Sequence, residues 1–166
     1  MSLSDREVAD RLAIMDKMYR YCRSVDRLDV PVGHSVFHED SHADFGASYV
    51  GTGRGWIDFI CEEHKKFLHH SHQVTNVIIE VTGETAGSEA YVYASLQRRD
   101  GDKVLQHEFW ARYIDKWSKR DGDWAIDRRD CIVDYGVIRE VAPLPGDPRS
   151  RRDTSDPSYG VLAPVA

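Results

Sequence analysis

The second half of the chain contains four segments rich in β-branched and aromatic residues, and these segments constrain the fold most strongly. They span residues 71–81, 88–98, 103–117 and 123–135. Asp100-Gly101 and Asp121-Gly122 separate the last three, and an Asp-Gly pair between two such segments is typical of a tight β-hairpin. The pattern therefore predicts a long antiparallel meander in this half of the chain.

The preceding residues predict helices. Ser4 and Glu7 have the S-x-x-E spacing of a capping box, which begins a helix. Two apolar rows follow: Val8, Leu12, Met15, Tyr19 and Cys22 form the first, and Ile14, Met18, Tyr21, Val25 and Leu28 form the second. The apolar residues from Trp56 to Leu68 predict a further helix. Helices followed by a meander indicate an α+β domain, in which a helical layer packs on a curved, mostly antiparallel sheet.

The segment between the two predicted helices is less regular. We expect a brief strand at residues 42–45 and a flexible loop at the spaced glycines Gly51, Gly53 and Gly55. No strand–helix–strand unit surrounds these glycines, so their spacing does not indicate a dinucleotide site. The sequence also has no G-x-S-x-G or phosphate-loop motif, and it therefore predicts chemistry without a cofactor.

Length and composition narrow the remaining possibilities. The 166 residues suit one domain, expected over residues 1–142. Five of the six prolines lie in residues 143–166, which predicts an extended arm, either disordered or lying on a neighbouring surface. The formal net charge of −6 disfavours nucleic-acid binding, and no apolar run approaches the roughly 18 residues of a membrane span. Three cysteines without C-x-x-C spacing predict reduced thiols and a cytoplasmic location.

One carboxylate interrupts the apolar pattern of the first helix. Asp26 continues the first apolar row by four residues and falls in the last helical turn. The helix dipole and burial both disfavour an anion at such a position, which therefore requires a partner or a function. The alternative is an Asp26 side chain that bends into water beside Asp29.

The hairpin at Asp100-Gly101 predicts which side chains share a face. If these two residues form the loop, Ala94 pairs with His107, and His107 becomes the polar exception on an apolar face. That face contains Val92, Ala94, Leu96, Leu105, Phe109 and Ala111. The alternative is that His107 is a core histidine without a function. On the first long strand, His72 and Asn76 share one face, but both faces have apolar residues and alternation does not decide which one faces a pocket.

Several stretches resemble one protein family when they are taken together. They are Tyr21-Cys22-Arg23-Ser24-Val25-Asp26, His72-Gln73-Val74-Thr75-Asn76, Arg112-Tyr113-Ile114-Asp115, and Arg120-Asp121-Gly122-Asp123-Trp124-Ala125-Ile126 with Arg129. In order and spacing they resemble the SnoaL-like family of the nuclear-transport-factor-2-like superfamily, over about residues 5–140. The resemblance implies a cone-shaped α+β barrel, in which N-terminal helices close a strongly curved sheet around a pocket.

The resemblance also implies a site. Members with known chemistry include dehydratases and a dehydrochlorinase, and they share an Asp that ends the first helix and a His that opens the first long strand. Asp26 and His72 match these two positions. Tyr21 matches a catalytic Tyr of one dehydratase, His107 is the nearest match to a second pocket His of another, and Arg129 matches a pocket Arg of the dehydrochlorinase.

These residues predict a cofactor-independent lyase of the dehydratase type, or a double-bond isomerase. Neutral His72 would be the general base, and Asp26 would fix its tautomer and stabilise the imidazolium. The substrate would be small, hydrophobic and cyclic or aromatic. The residues expected to contact it are Arg129, Phe45, Asn76, Phe109 and Tyr113. Val25 and Phe45 replace two water-binding tyrosines of one dehydratase of the family, so that enzyme's handling of water is not implied.

Two other classes of function remain open at this stage. A non-catalytic module that binds a small ligand would keep the pocket without needing contact between Asp26 and His72. A metal enzyme would use histidines from one of two groups: His34, His38 and His42, or His69, His70 and His72. No established metal-site motif supports either group, so no metal is expected.

A homo-oligomer is the expected assembly. By the hairpin argument, the sheet face opposite His107 carries a mixture of aromatic and charged residues that suits an interface. Its members are Tyr91, Tyr93, Glu108, Trp110 and Arg112. The sequence therefore predicts a dimer through the outer face of the sheet.

Overall fold

The computed structural model describes residues 3–142 and 149–162. Its helices are α1 (Asp5–Arg27), α2 (Val30–His34) and α3 (Gly53–His64). Its strands are β1 (Phe37–Asp44), β2 (Val50–Thr52), β3 (His69–Thr82), β4 (Thr85–Asp100), β5 (Lys103–Arg120) and β6 (Asp123–Val141). A 3₁₀ turn, Pro157–Gly160, follows in the C-terminal segment. No helix in the described ranges has the length and apolar character needed to cross a membrane.

The six strands form one curved sheet in the order β2-β1-β6-β5-β4-β3. The β1–β6 pair is parallel and the other pairs are antiparallel. The three helices pack on this sheet, which confirms the predicted α+β fold. The sheet is not closed, because β2 and β3 are free edges, so the expected barrel is an open cone.

The first helix begins with the predicted capping box, since the Ser4 and Glu7 side chains each bond to the backbone of the other. The prediction that its first apolar row is buried was wrong, because Leu12 is 60% exposed and Tyr19 is 48% exposed. The second row faces the sheet, and Asp10 extends it by one turn. Trp124 Nε1 donates to the buried Asp10 carboxylate at 2.8 Å. The sequence predicted this row from Ile14 onward but did not include Asp10, because a carboxylate does not continue an apolar pattern.

The hairpin between β4 and β5 differs from the prediction by two residues. Asp100 pairs with Lys103, so the loop is Gly101-Asp102, with Gly101 in the left-handed region at φ 60°. His107 therefore pairs with Leu96 instead of Ala94. A shift of two residues preserves the side on which each side chain points, so the predicted inner face is retained. The loop at Asp121-Gly122 is where the sequence predicted it.

The stretch before the meander is also more ordered than predicted. The brief strand expected at residues 42–45 corresponds to the end of β1, which stops at Asp44. The helix expected from Trp56 to Leu68 is α3, and it ends at His64. Leu68 N–H instead donates to Gln97 O at 2.7 Å, which leads the chain into β3. Gly53 begins α3 against the Phe37 ring, where a Cβ atom would lie 2.2 Å from a ring carbon. This glycine therefore allows close packing and does not form a flexible loop.

The C-terminal arm was predicted for residues 143–166, and its described part is residues 149–162. This part lies on the chain's own helical layer. Tyr159 Oη donates to Asp29 at 2.5 Å, and the Arg23 guanidinium lies 4.4 Å from the Tyr159 ring centroid. Asp29 is thus the N-cap of α2 and an anchor for the arm, not a solvated companion of Asp26.

A bulge explains why both faces of β3 carry apolar residues. The β3–β4 register shifts between Thr75 and Ile78, and Asn76 has φ 49°. Before the shift, Val74 packs toward the core, and after it Val77 and Ile79 do. Asn76 itself lies in the bulge and is exposed, so it does not share the face of His72 as the alternation predicted. A periodicity of two cannot continue through the extra residue of a bulge.

The bulge predicts an unusual response to substitution. Asn76→Val should cost about 1–2 kcal/mol, because a β-branched side chain disfavours the left-handed region. Asn76→Gly should keep or raise stability, since glycine adopts this region without a steric penalty. Thermal unfolding will measure both, with Thr75→Val as a control at the neighbouring exposed position. An Asn76→Val protein as stable as the Asn76→Gly protein would contradict the left-handed conformation.

Candidate active site

The end of α1 meets the start of β3 through Asp26 and His72. Asp26 Oδ1 lies 2.7 Å from His72 Nδ1, and Asp26 Oδ2 accepts the His72 backbone N–H at 3.0 Å. Both side chains are largely buried, with 14% of Asp26 and 9% of His72 exposed. The predicted contact between these two side chains is confirmed, although Asp26 lies at the edge of the buried helix face instead of its centre.

The protonation pattern of this pair follows from its geometry. An ionised carboxylate only accepts hydrogen bonds, so the 2.7 Å contact assigns a proton to His72 Nδ1. In the neutral ring, Nε2 then carries the lone pair. Nε2 has no hydrogen-bond partner within residues 3–142 and 149–162. The arrangement can therefore accept a proton at Nε2 while Asp26 stabilises the resulting positive charge.

Two further histidines surround the pair, and the sequence analysis did not predict a catalytic role for either. His70 lies two residues before His72 on β3, and its Nδ1 is 3.7 Å from Asp26 Oδ1. His64 ends α3, and its ring centroid lies 4.6 Å from that of His70 and 5.6 Å from that of His72. Nδ1 of His64 and Nδ1 of His70 are buried and have no hydrogen-bond partner among the residues that the structure describes. Clustering of histidines in residues 64–72 was the available signal.

Burial controls the charge of these two histidines. It lowers the pKa of His64 to about 2 and is the largest cause that lowers the pKa of His70, to about 4. The neighbouring histidines and Arg152 lower both values further, whereas Asp26 opposes the shift at His70. Both rings are therefore neutral at neutral pH, and the site contains one carboxylate among three imidazoles.

Tyr21 lies in the core, one helical turn before Asp26. Its ring is 2% exposed, and Trp56 Nε1 donates to its hydroxyl oxygen at 2.8 Å. Because the oxygen accepts this bond, the hydroxyl hydrogen is free to be donated elsewhere. Burial raises the pKa of Tyr21 above its ordinary value, so the hydroxyl keeps that hydrogen.

Arg129 is fully buried and held by neighbours, unlike the open pocket residue that was expected. Its Nε and Nη2 donate to the two carboxylate oxygens of Asp115, each at 2.7 Å. Its guanidinium lies between the Tyr21 and Tyr113 rings, 4.2 and 4.1 Å from their centroids. Nη1 is its one buried atom without a partner in the described ranges.

The remaining predicted contact residues lie in two places. Phe45 stacks on Trp56 at a centroid distance of 3.6 Å and meets Tyr113 edge-on, so these rings form one aromatic cluster with Tyr21. Phe109 and His107 lie farther along the inner face of β5 and are partly exposed. Burial lowers the pKa of His107, and Phe67 packs edge-on against its ring. The structure therefore does not gather all predicted contact residues around His72.

Two cavities lie near the Asp26–His72 pair, and the pair itself lines only the first of them. One, of about 460 Å³, is a groove between α1 and the edge strand β3. It is lined by Tyr19, Cys22, Arg23, Asp26, Arg27, His72, Gln73, Val74 and Thr75. The other, of about 370 Å³, lies between His70, Leu68 and the C-terminal segment. A third cavity, of about 770 Å³, lies between α1, α2 and that segment, but neither Asp26 nor His72 lines it.

The two groups of histidines that the sequence offered as alternative metal ligands differ in how close their members lie to one another. His34 Nε2 lies 2.8 Å from Asp58 Oδ1, and His38 Nε2 lies 3.1 Å from Ser118 O, so the first group does not converge. In the second group, ligand atoms of His70, His72 and Asp26 all lie within 4.8 Å of one another. Within residues 3–142 and 149–162, these three residues form the group that could hold a cation.

The buried neutral histidines predict acid-sensitive stability. An exposed His titrates near pH 6.5, so below about that value the unfolded chain binds protons that folded His64 and His70 do not, and stability falls. At about pH 5.5 each should cost about 1.4 kcal/mol relative to about pH 7.5. His64→Phe should remove about half of this loss in thermal unfolding, and exposed His69→Ala should remove none. An unchanged loss in His64→Phe would show that His64 is not held neutral.

Comparison with known proteins agrees with the fold. No curated protein matches the chain in sequence. A provisionally assigned scytalone dehydratase from Novosphingobium aromaticivorans superposes with a TM-score of 0.72 at 20% identity, covering 88% of this chain and 100% of that one. Hexachlorocyclohexane dehydrochlorinase LinA-type3 from Novosphingobium barchaimii superposes with a TM-score of 0.72 at 19% identity, covering 87% and 99%.

A third structure has a different assignment. A provisionally assigned aromatic ring hydroxylase from Novosphingobium aromaticivorans superposes with a TM-score of 0.68 at 25% identity, covering 81% of this chain and 94% of that one. Similarity at these identities shows a shared fold and leaves the reaction open. The sequence model described as a SnoaL-like domain matches residues 6–130, which is most of the chain. The chain therefore belongs to the SnoaL-like domain family.

Proposed function

We propose that this protein is a cofactor-independent lyase of the dehydratase type, or a double-bond isomerase, that acts on a small apolar substrate with a cyclic or aromatic skeleton. The observation that carries the proposal is the 2.7 Å contact between Asp26 Oδ1 and His72 Nδ1. Family membership supports the same class, because structural neighbours include a provisionally assigned dehydratase and a dehydrochlorinase.

The first step is proton removal by His72. Its Nε2 takes a proton from a carbon next to a carbonyl or similar activating group, and the electron pair of that C–H bond forms the new double bond. Asp26 remains ionised and stabilises the imidazolium. The His72 backbone N–H holds the second carboxylate oxygen at 3.0 Å, which keeps Asp26 oriented toward the ring.

The second step removes a leaving group from the neighbouring carbon. In a dehydration, the imidazolium returns its proton to the departing hydroxyl, which leaves as water, and the enzyme regains its starting state. In an isomerisation, the proton returns to another carbon instead. Tyr21 is the proposed donor to the oxygen that gains charge, since Trp56 Nε1 already donates to its hydroxyl oxygen. Tyr21 does not line the groove, so this role requires the reacting oxygen to reach the buried aromatic cluster.

The other predicted residues have supporting roles in this proposal. Arg129 orders the Tyr21 and Tyr113 rings through its guanidinium, and Nη1 is its remaining donor. Phe45 in the aromatic cluster, and Phe109 and His107 on the inner face of β5, do not line the groove beside His72, so contact with them requires a substrate that extends beyond that groove. The groove of about 460 Å³ that both Asp26 and His72 line has the volume of a small-ligand site.

A metal-dependent reaction at Asp26, His70 and His72 is the second candidate. Their ligand atoms are close enough to share a cation. Two observations favour the hydrogen-bonded pair instead. The 2.7 Å separation of Asp26 Oδ1 and His72 Nδ1 is a hydrogen-bond distance, and the Arg152 guanidinium lies 3.5 Å from His70 Nε2, where its charge repels a cation.

Kinetics of variants test the proposed base. His72→Ala should lower kcat at least about a hundredfold with a smaller effect on KM, because proton transfer acts mainly in the transition state. Asp26→Asn should stay folded and lose most of the rate, since an amide cannot neutralise the imidazolium. The probes are nitrobenzisoxazole, whose ring opens on loss of one proton, and cyclic β-hydroxy ketones, whose dehydration produces an absorbing enone.

The matched control for these variants is His69→Ala, which removes an exposed imidazole from the same strand. Thermal unfolding of each variant separates loss of rate from loss of fold. The wild-type rate should fall at acid pH, since a protonated ring accepts no proton. If folded His72→Ala turns over the probes at the wild-type rate, or wild type binds them without turnover, the chain is a ligand-binding module.

We also propose that the protein is a homo-oligomer, most simply a dimer, through the outer face of the sheet. On this face Trp110 stacks on Tyr135 at 4.7 Å, and Tyr91, Ile132 and Val137 are 43–46% exposed. Exposed apolar residues in one contiguous area are typical of an interface.

Sedimentation at micromolar concentration should therefore show a species about twice the 19.0 kDa of the chain. Tyr135→Lys should shift it to the monomer, because a charge in the centre of the face would be desolvated on association. Leu12→Lys, an equally exposed apolar site on α1, should leave the oligomer unchanged. A wild-type species of only 19.0 kDa would refute the oligomer.

A further inference from the structure

The C-terminal segment reaches the candidate active site through Arg152. Its Nη1 donates to the backbone oxygen of His64 at 2.8 Å and lies 3.5 Å from His70 Nε2. Downstream of it, Asp156 accepts the Arg151 backbone N–H at 3.0 Å and lies 3.7 Å from the Arg27 guanidinium. These contacts fix the segment on both sides of Arg152, so the guanidinium is held against the His70 ring.

His70 joins Arg152 to Asp26. Its side chain is completely buried, with Nε2 toward the guanidinium and Nδ1 at 3.7 Å from Asp26 Oδ1. At 3.7 Å the second contact is an electrostatic one and not a hydrogen bond. The ring thus lies between the Arg152 guanidinium and the Asp26 carboxylate, which also accepts the hydrogen bond from His72.

The tautomer of His70 follows from what its two neighbours can do. A guanidinium only donates, so His70 Nε2 must present its lone pair to Arg152. The proton of the neutral ring is then on Nδ1, where it faces the acceptor oxygen of Asp26. The opposite tautomer would place two donors against each other at Arg152 and two lone pairs against each other at Asp26. Both ends of the ring therefore select the same form.

We propose that Arg152 and His70 are positioning residues of the active site, in which Arg152 selects the His70 tautomer with its proton on Nδ1, and that N–H in turn faces Asp26 Oδ1 and helps to hold the carboxylate toward His72. The positioning function rests on the proposed role of Asp26 and His72 in proton transfer. The C-terminal segment is by this inference a required part of the site, although it lies outside the meander and the helices that form the rest of it.

The His70 tautomer matters because it decides which group faces one oxygen of Asp26. With its proton on Nδ1, the ring directs an N–H at Asp26 Oδ1 over 3.7 Å, whereas the opposite tautomer would direct a lone pair at the carboxylate and repel it from its position beside His72. The charged and titratable groups around His70 come from four elements: Asp26 and Arg27 on α1, His64 on α3, His72 on β3, and Arg152 on the C-terminal segment. Among these groups, the Arg152 guanidinium is the one that contacts His70 Nε2.

The tautomer can be measured without any substrate. Nitrogen-15 spectra of the imidazoles in the full-length wild-type protein should show His70 neutral and protonated at Nδ1 near neutral pH. Arg152→Gln should change this pattern, because the glutamine oxygen accepts a proton from Nε2 and the positive charge is gone. Arg152→Lys should retain it, since an ammonium also only donates. Arg149→Gln, which removes a charge from an exposed position of the same segment, should have no effect.

Turnover of the same probes supplies the functional measurement. In Arg152→Gln kcat should fall about tenfold with a smaller effect on KM, because the reversed His70 tautomer presents a lone pair to Asp26 and disturbs the orientation of the carboxylate. The loss should persist at about pH 8, since it follows from the tautomer of the neutral ring. Arg152→Lys should restore the wild-type kcat, whereas a purely structural role for Arg152 would lower thermal stability without changing the His70 tautomer.

The outcomes separate this inference from the proposed function. Unchanged His70 nitrogen shifts in a folded Arg152→Gln protein would overturn the positioning role, even if His72 is essential. A wild-type kcat in a folded Arg152→Gln protein would overturn it as well. Full activity of His72→Ala would refute the proposed function, whereas the effect of Arg152 on the His70 tautomer would still be observed.

Discussion

The buried ion pair of Arg129 and Asp115 is the interaction on which the rest of the structure depends. Both side chains are fully buried, and two 2.7 Å hydrogen bonds join β6 to β5 in the core. Leaving either charge alone would cost about 3–5 kcal/mol, so the pair must be kept whole. Its guanidinium lies between the rings of Tyr21 and Tyr113. The pair therefore fixes the rotation of α1, and with it the direction of Asp26 five residues later.

The candidate site is formed where three parts of the chain meet. α1 supplies the carboxylate, the edge strand β3 supplies His70 and His72, and α3 with the C-terminal segment encloses them. Burial keeps the surrounding imidazoles neutral, which removes competing positive charges from the neighbourhood of Asp26. The same burial leaves two imidazole nitrogens without hydrogen bonds, which is unfavourable for folding. Such a cost at one location is typical of a site that is selected for function.

Local sequence signals predicted much of the fold. The meander, the capping box and the loop at Asp121-Gly122 depend on residues that are neighbours in the chain, and all three are confirmed. The face assignment of His107 was retained despite a hairpin shift, because side-chain direction repeats every two residues. The contact of Asp26 with His72 was expected from the family resemblance together with the position of a carboxylate near an apolar helix face. These features are encoded over short distances or by a recognisable order of motifs.

Tertiary packing decided the remainder. Either apolar row of α1 could have been buried, and contact with the sheet selected the row that contains Asp10. The extra residue at Asn76 depends on pairing between β3 and β4, so no periodicity in β3 alone could show it. Arg152 and Asp26 are far apart in the chain, and their common neighbour His70 is meaningful only after folding. The sequence by itself determined the secondary structure and the residues of the proposed proton transfer, whereas three-dimensional packing determined which groups surround them and what charge they carry.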